Sequence, residues 1–538
     1  WSESLYFFVS SSSGDGSISN LSAAQKMKKT TTILFLIFVL ALVIRFLFFP
    51  TNVYFGFDQA RDAFESLSIY KNLDFKIIGP STASPTLFHG PLYWYLIGPF
   101  YLLGKGNPAF PAAFLLILNA LGVFLIYLVG KTLFDKRVGI ISGLLYAVSF
   151  EQTQYAMYFG NPALAVLTII LFYLGLILFL FRKNWKGIAL SLFALGLSIQ
   201  FEFFLFYLTL VFVFLVITLG RRKLKSLHVK EVIFSAVALI IALSTFILAE
   251  IKFGFRTTKS LLGVASSIGG NYNFQKAVNV LAKRMVLEVN DNIFSFGVAV
   301  EILILLTLLG LSLYLITKRI KDYKKIGFLL TWFLASNLLF IFGIPSLYYT
   351  NIGISAGLIL LVAYYISKIL DKKKILGLGA LSLIVVSNLV LITKQNPKGI
   401  INDIYVQEGM LLGRLKSGID FIYEESEGKP FVVSASTMPL YINTTWAYLF
   451  NWYGKEKYGR LPYWAGKVAE GYSGSLPLWK SQEKEYTFFS IIEPTRGVEK
   501  RFIEEFLQEQ EQYGEVLREE VYGDLWYSQL VIQKRKAK

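Results

Sequence analysis

Residues 88–104 read FHGPLYWYLIGPFYLLG, and how they are placed fixes the orientation of everything downstream. The stretch is apolar enough to tempt a membrane crossing, but it is short and holds Pro91, Gly98 and Pro99. Its neighbours supply the deciding constraint. Apolar runs of crossing length, about 20 residues, fall at 31–49, 111–130, 138–156, 163–181, 187–200, 201–219, 231–249, 296–317, 326–343, 349–367 and 375–393. Between them lie basic clusters: Lys131/Lys136/Arg137, Arg182/Lys183/Lys186, Arg221/Arg222/Lys223/Lys225/Lys230, Lys318/Arg319/Lys321/Lys324/Lys325 and Lys368/Lys372/Lys373/Lys374. Lys and Arg of short loops stay in the cytoplasm. All five clusters share that side only if 88–104 does not cross. We therefore read it as an interfacial or re-entrant helix in an outer loop, with Tyr93, Trp94, Tyr95 and Tyr101 at the headgroup boundary.

Composition agrees. Of 538 residues, 54% are hydrophobic and 17% charged, against about 25% charged in soluble chains. The net charge of +17 sits in the loop clusters, which excludes nucleic acid as its explanation. With no Cys, disulfides, thiolate metal sites and Cys nucleophiles are excluded. Two histidines, His89 and His228, leave no basis for a multi-His metal site. Residues 1–26 are polar and aperiodic ahead of Met27, and we expect them to be a non-native or disordered extension. The run Thr31–Phe49 reads as a retained anchor rather than a cleaved leader.

The expected fold class is a polytopic α-helical membrane protein with about eleven transmembrane helices. The membrane domain spans 27–395, with outer loops 50–110 and 250–295. Its N-terminus is cytoplasmic, and a small extracytoplasmic mixed α/β domain occupies 396–538. In this tail, 430–442, 486–493 and 526–533 read as strands, and 403–426 and 498–513 as helices. Trp446, Trp452, Tyr453, Tyr458, Tyr463 and Trp464 between them suit core and interface packing somewhat better than sugar stacking. There is no internal repeat and no glycine-rich phosphate loop, so a nucleotide-driven transporter engine is absent.

Ionisable residues in spans are costly and mark function or pairing. Arg45, Glu151, Glu202, Glu250 and Glu301 all fall towards the outer ends, which points to a polar cavity opening outward. The first outer loop is densest: Phe57-Asp58-Gln59-Ala60-Arg61-Asp62, then His89-Gly90-Pro91-Leu92. Asp58 and Arg61 share a helix face, and a carboxylate beside a cation suits a general base. Read alone, the pair fits a helix cap at Asp58 with a solvated Arg61 better.

The order of these elements resembles a known family. A first span is followed by Asp-x-x-Arg, then by His-x-Pro-Leu, then by a span ending in Gly-Lys-x-Leu-Phe-x-x-Arg at 130–137. This looks like the membrane glycosyltransferases of the GT-C superfamily, the protein O-mannosyltransferase and aminoarabinose-transferase group. The likeness is good over 30–250 and loose beyond. It implies transfer of a hexosyl or pentosyl group from a polyprenyl-phosphate sugar donor to a hydroxyl of a protein, lipid or glycan acceptor. The chemistry would take place at the outer face of the cytoplasmic membrane, among membrane lipids and without nucleic acid. Asp58 takes the place of the catalytic base. Substrate contacts are expected from Arg61, Asp62, His89, Asn161, Glu202, Glu250, Lys252, Arg256 and Arg284, with Lys259 a further cation of the second loop. Asn161 stands where the family often has an acidic residue. That departure argues against a two-carboxylate metal site. No essential cofactor is expected, although the pattern is compatible with a divalent cation. The alternatives are a lipid-linked sugar flippase, which needs polar groups deep within spans, and a surface-polysaccharide polymerase.

Overall fold

The computed structural model describes residues 18–82, 87–260, 274–337, 339, 348–401, 407–480 and 486–536. The expected extension 1–26 therefore lies mostly outside the described residues. In chain order the membrane-side helices begin with α1 (Ile18–Phe46), α2 (Phe57–Lys71), α3 (Leu92–Leu103), α4 (Ala109–Leu133), α5 (Lys136–Val148) and α6 (Phe150–Met157). They continue with α7 (Pro162–Arg182), α8 (Lys186–Phe201), α9 (Leu208–Leu224), α10 (Val229–Ala242) and α11 (Ser244–Lys252). Four long helices follow: Phe274–Asn292, Val298–Thr317, Ile354–Lys372 and Lys374–Gln395, with the shorter Tyr323–Leu334 before the last two.

Seven of the described helices are long and apolar enough to cross a membrane, and α10 with α11, bent by 65°, makes an eighth. These match eight of the eleven expected crossings. The other three differ for physical reasons. The expected span 187–200 is the 16-residue α8, about 24 Å at 1.5 Å per residue, too short for the hydrocarbon unless its ends are thinned or covered. The expected span 326–343 has a described helix only to Leu334, and most of its second half lies outside the described residues. The expected span 138–156 is two helices, α5 and α6, broken at Ser149. The segment 88–104 forms the 12-residue α3, about 18 Å long; of its aromatics expected at the headgroup boundary, Tyr93, Trp94 and Tyr101 are instead buried, because α3 packs against α2 and α4.

The break at Ser149 is built from side chains. Ser149 leaves the helical region (φ −60, ψ 124) and its Oγ accepts the Gln152 N–H, opening α6. The same hydroxyl donates to Asn292 Oδ1 at 2.7 Å. Asn388 Oδ1, from the helix Lys374–Gln395, accepts the Phe150 N–H at 2.9 Å. The carbonyls freed at the end of α5 are met by Arg45. This residue is 2% exposed, and its guanidinium donates to Ala147 O at 3.0 Å and to Asn119 Oδ1 at 2.7 Å. Arg45 thus ties α1 to α4 and α5. Every residue of α6 is buried, Glu151, Gln152, Thr153 and Gln154 included.

The tail is a five-stranded sheet of order β2-β1-β3-β5-β4. Its strands are β1 (Phe431–Ala435), β2 (Tyr463–Trp464), β3 (Thr487–Ile492), β4 (Val516–Tyr522) and β5 (Leu530–Arg535). β1 runs parallel to both β2 and β3, while β5 is antiparallel to β3 and β4. Three strands were legible in the sequence. β2 is two residues long, and β4 is an edge strand whose residues are mostly exposed, so neither carries an apolar alternation. The expected helices are Leu412–Glu425 and Lys500–Glu511.

The tail packs directly on the first outer loop. Leu412 N–H donates to Val53 O at 2.7 Å and Phe55 N–H to Met410 O at 2.9 Å. Tyr448 packs against Phe55 and Phe64 and donates its hydroxyl to Gly106 O at 2.6 Å. Ser473 Oγ donates to Glu65 Oε1 at 2.7 Å. Trp446 is fully buried and donates to Glu493 Oε1 at 2.9 Å. Tyr453 and Tyr458 both donate to Asp420. Trp446 and Tyr448 are buried in the tail packing, and Tyr453 and Tyr458 are partly buried at its edge.

Replacing Asn388 by Leu leaves the Phe150 N–H without its acceptor inside the helix packing. We expect a loss of about 1–3 kcal/mol in stability, read by denaturant titration of the purified chain. An unchanged midpoint would remove Asn388 from this role.

Candidate active site at the first outer loop

Helix α2 opens after Gly56, whose N–H donates to Gln59 Oε1 at 3.1 Å. Its buried face carries Gln59, Ala60, Asp62, Ala63, Ser66 and Ile69, which leaves Asp58 on the opposite side. Asp62 is the anchor. Its Oδ1 receives Arg61 Nε at 3.0 Å, Arg61 Nη2 at 2.8 Å and the Trp94 indole N–H at 2.7 Å. The third nitrogen, Arg61 Nη1, donates to Asp58 Oδ1 at 2.7 Å. The Asp58 side chain is 60% exposed against 3% for Asp62. One guanidinium therefore joins a buried carboxylate to an outward-facing one. Burial alone would lower the Arg61 guanidinium, but Asp62 and then Asp58 outweigh it and hold it above its ordinary value. Burial pushes the Asp62 carboxyl above its usual range against the pull of Arg61. Three donors on one oxygen keep it a carboxylate.

Three further expected residues, His89 before α3, Asn161 before α7 and Glu202 after α8, meet at one junction. Gln59 Nε2 donates to Phe159 O at 2.6 Å, which holds α2 against the segment before α7. There Asn161 donates its amide to Phe201 O. Gly90 N–H donates to Gln200 O at 2.8 Å. His89 Nδ1 accepts the Phe203 N–H at 3.1 Å, so Nδ1 carries no proton. Burial, with Arg61 adding to it, pushes this imidazole down to about 3. Glu202 Oε1 stands 3.8 Å from Nδ1. With a neutral ring this is no ion pair, and Glu202 instead accepts the Phe204 N–H at 3.3 Å. His89, Asn161 and Glu202 thus hold one junction together through backbone groups.

The second-loop residues divide. Glu250 accepts from Thr257 N at 2.9 Å and from Thr258 N at 3.1 Å, a local cap. Lys252 lies over the Phe253 ring at 5.4 Å, and Arg256 is exposed. No contact ties these three to α2 among the described residues. Arg284 belongs to a different group. With Glu151, Tyr155, Glu288, Asp291 and Asn351 it lines a small cavity between α6 and the helix Phe274–Asn292. Asn292 Nδ2 donates to Glu151 Oε2 at 2.8 Å. Burial and then Glu151 push Asp291 up to about 7. Sequence reasoning missed Glu288 and Asp291. The signal was present: Arg284, Glu288 and Asp291 are spaced four and three apart, one face of a helix.

Among the described residues no three His, Cys, Asp or Glu side chains converge as metal ligands. Asp58 is engaged by Arg61, and its counterpart Asn161 is a neutral amide bonded to a carbonyl. These residues do not fit a two-carboxylate cation site.

Residues 88–249 match the family model described as dolichyl-phosphate-mannose-protein mannosyltransferase. No curated protein matches the sequence. Among solved structures, ArnT from Cupriavidus metallidurans in the apo state is similar with TM-score 0.58 and 11% identity, over 94% of this chain and 98% of that one. The same protein bound to undecaprenyl phosphate gives TM-score 0.55, again at 11% identity with the same coverage. The Archaeoglobus fulgidus oligosaccharyltransferase in complex with zinc and sulfate gives 0.48 at 15% identity, over 80% of this chain. The chain spans 62% of the length of that archaeal protein. The chain thus shares the fold of ArnT over nearly its whole length, and the family match is confined to residues 88–249.

His89 makes a testable contribution to stability. Its pKa is lowered on folding, so the unfolded chain binds more protons. Stability is present above about 6.5 and is lost as pH falls towards 3. The other histidine, His228, is exposed. Between pH 7.5 and 5 the wild type should lose about 2 kcal/mol more than His89→Gln, which keeps an acceptor. Parallel stability curves for the two proteins would contradict a buried neutral imidazole.

Proposed function

We propose that the chain is a glycosyltransferase that moves a sugar from a polyprenyl-phosphate carrier to an acceptor hydroxyl at the outer face of the cytoplasmic membrane. The observation that carries this reading is the Trp94–Asp62–Arg61–Asp58 chain. It fixes one exposed carboxylate on a helix wedged between the tail and the ends of α7 and α8.

Glycosyl transfer separates two needs: a base for the acceptor hydroxyl and positive charge for the departing phosphate. Asp58 is the base. Its carboxylate takes the acceptor O–H proton as the acceptor oxygen bonds to the anomeric carbon and the carbon–oxygen bond to phosphate breaks. The leaving group is the polyprenyl phosphate, which retains the electron pair. Arg61 holds Asp58 by one hydrogen bond and limits its rotamers. Asp62 and Trp94 hold Arg61. His89, Asn161 and Glu202 position the loop junction under the helix. Arg284 is the favoured phosphate-side cation because burial pushes the Glu288 and Asp291 carboxyls of its pocket up, so they oppose a phosphate less than exposed carboxylates would, while Lys252 and Arg256 face the lipid headgroups of the outer leaflet. In this reading the chain crosses eleven times, with the N-terminus inside. The tail 396–538 lies outside and covers the first loop, where a protein, lipid or glycan acceptor enters.

The test uses proteoliposomes holding the full chain and a polyprenyl-phosphate hexose or pentose, with release of free polyprenyl phosphate as the readout. Asp58→Asn should lower the rate by about 100-fold or more with normal insertion and expression. Normal turnover by that variant would end the assignment. Arg284→Ala should raise the apparent KM for the lipid donor, while Arg256→Ala has the smaller effect. The reverse order would shift the phosphate site to the second-loop cations.

A further inference from the structure

We propose that the tail carries a second binding site, a cleft for a neutral saccharide ring beyond the carboxyl ends of β1 and β2. Crevices at this end of parallel strands are where open α/β sheets take their ligands. β1 and β2 pair in parallel with Val433 opposite Trp464. Beyond them the chain leaves a shallow cleft, open in part to solvent and roofed by the helix Lys500–Glu511.

The two walls differ in chemistry. One is apolar and comes from that helix, with Phe502 and Phe506 facing the cleft. The other presents Ser434, Ser436 and Trp464. Ser436 Oγ accepts the Glu493 N–H at 3.0 Å, which leaves its own proton to donate. Trp464 is 2% exposed, yet its indole N–H has no acceptor among the described residues. A buried donor left so costs about 1–3 kcal/mol, a cost a ligand oxygen would remove. Position 466 is glycine at φ +150; a Cβ there would stand 3.4 Å from Trp464 Nε1 and 3.5 Å from Ser434 Oγ. A side chain at this position would crowd both groups, and glycine leaves the space beside them unfilled.

Charge selects the ligand class. Lys467 at the rim is paired with Glu509 at 3.0 Å, and Glu505 adds a second carboxylate to the lining. The cleft is therefore net negative and repels phosphate and carboxylate groups. A pyranose matches what remains. It is neutral, offers C–H faces to aromatic rings, and has hydroxyls that accept from an indole N–H and from serine. The site is distinct from the Asp58 chain and does not rest on the transfer reaction.

The experiment is saturation-transfer NMR on the full chain in lipid nanodiscs free of glycoside detergents, with methyl hexosides and methyl pentosides as probes. Saturation should reach the ring protons of at least one glycoside. Trp464→Phe keeps the aromatic packing and removes the N–H; Ser434→Ala removes the hydroxyl. Each should weaken binding by about fivefold or more, while Asp58→Asn binds as the wild type does. The proposal is overturned if no glycoside binds the wild type, if both cleft variants bind normally, or if Asp58→Asn abolishes binding. A Ser/Thr peptide that binds there in place of every glycoside also overturns it.

Discussion

A helix interrupted inside the membrane-side packing must find partners for the backbone groups it frees, because no water is there to take them. Here the interruption is at Ser149, and three side chains from distant parts of the chain meet it: Arg45 on α1, Asn292 before the helix Val298–Thr317, and Asn388 near the end of the last long helix. That requirement links the two ends of the membrane domain. It also turns α6 into a short, wholly buried helix whose Glu151 faces the helix Phe274–Asn292. The polar pocket around Arg284 exists because α5 stops where it does.

The first outer loop depends on a second constraint of the same kind. Asp62 is buried, and a buried carboxylate without donors is costly. Arg61 and Trp94 supply three donors to one oxygen, and the remaining arm of the guanidinium reaches Asp58. The exposed carboxylate is thus held by an interior one. The tail completes the arrangement. Tyr448, Leu412 and Ser473 fasten it to the loop, so α2 is clamped from both sides, as a positioned base requires.

Expectation and structure part at particular residues. Arg45 and Glu151 read as lining a polar cavity that opens outward; Arg45 instead satisfies carbonyls, and its function is structural. Glu250 read as a substrate contact, and its carboxylate closes a local turn. Glu288 and Asp291 went unread because the helix carrying them is amphipathic rather than apolar, and in a membrane protein attention falls on apolar runs. Ser149 is a single small residue, and the polar run Glu151-Gln152-Thr153-Gln154 just after it was the sign of the break that the length of 138–156 concealed.

By itself the sequence determined the membrane character, the short helix α3, the mixed tail and the order of motifs that resembles GT-C enzymes. Each of these follows from local properties: run length, charge placement and residue spacing. Only the tertiary structure decided which carboxylate is buried and which exposed, where α5 ends, that His89 is a neutral acceptor, and that the tail grips the first loop. Those outcomes depend on desolvation and on hydrogen bonds between residues far apart in the chain, such as Asn52 with Asn396 or Asn388 with Phe150. A hydrogen bond across hundreds of residues leaves no periodic trace in the sequence that makes it.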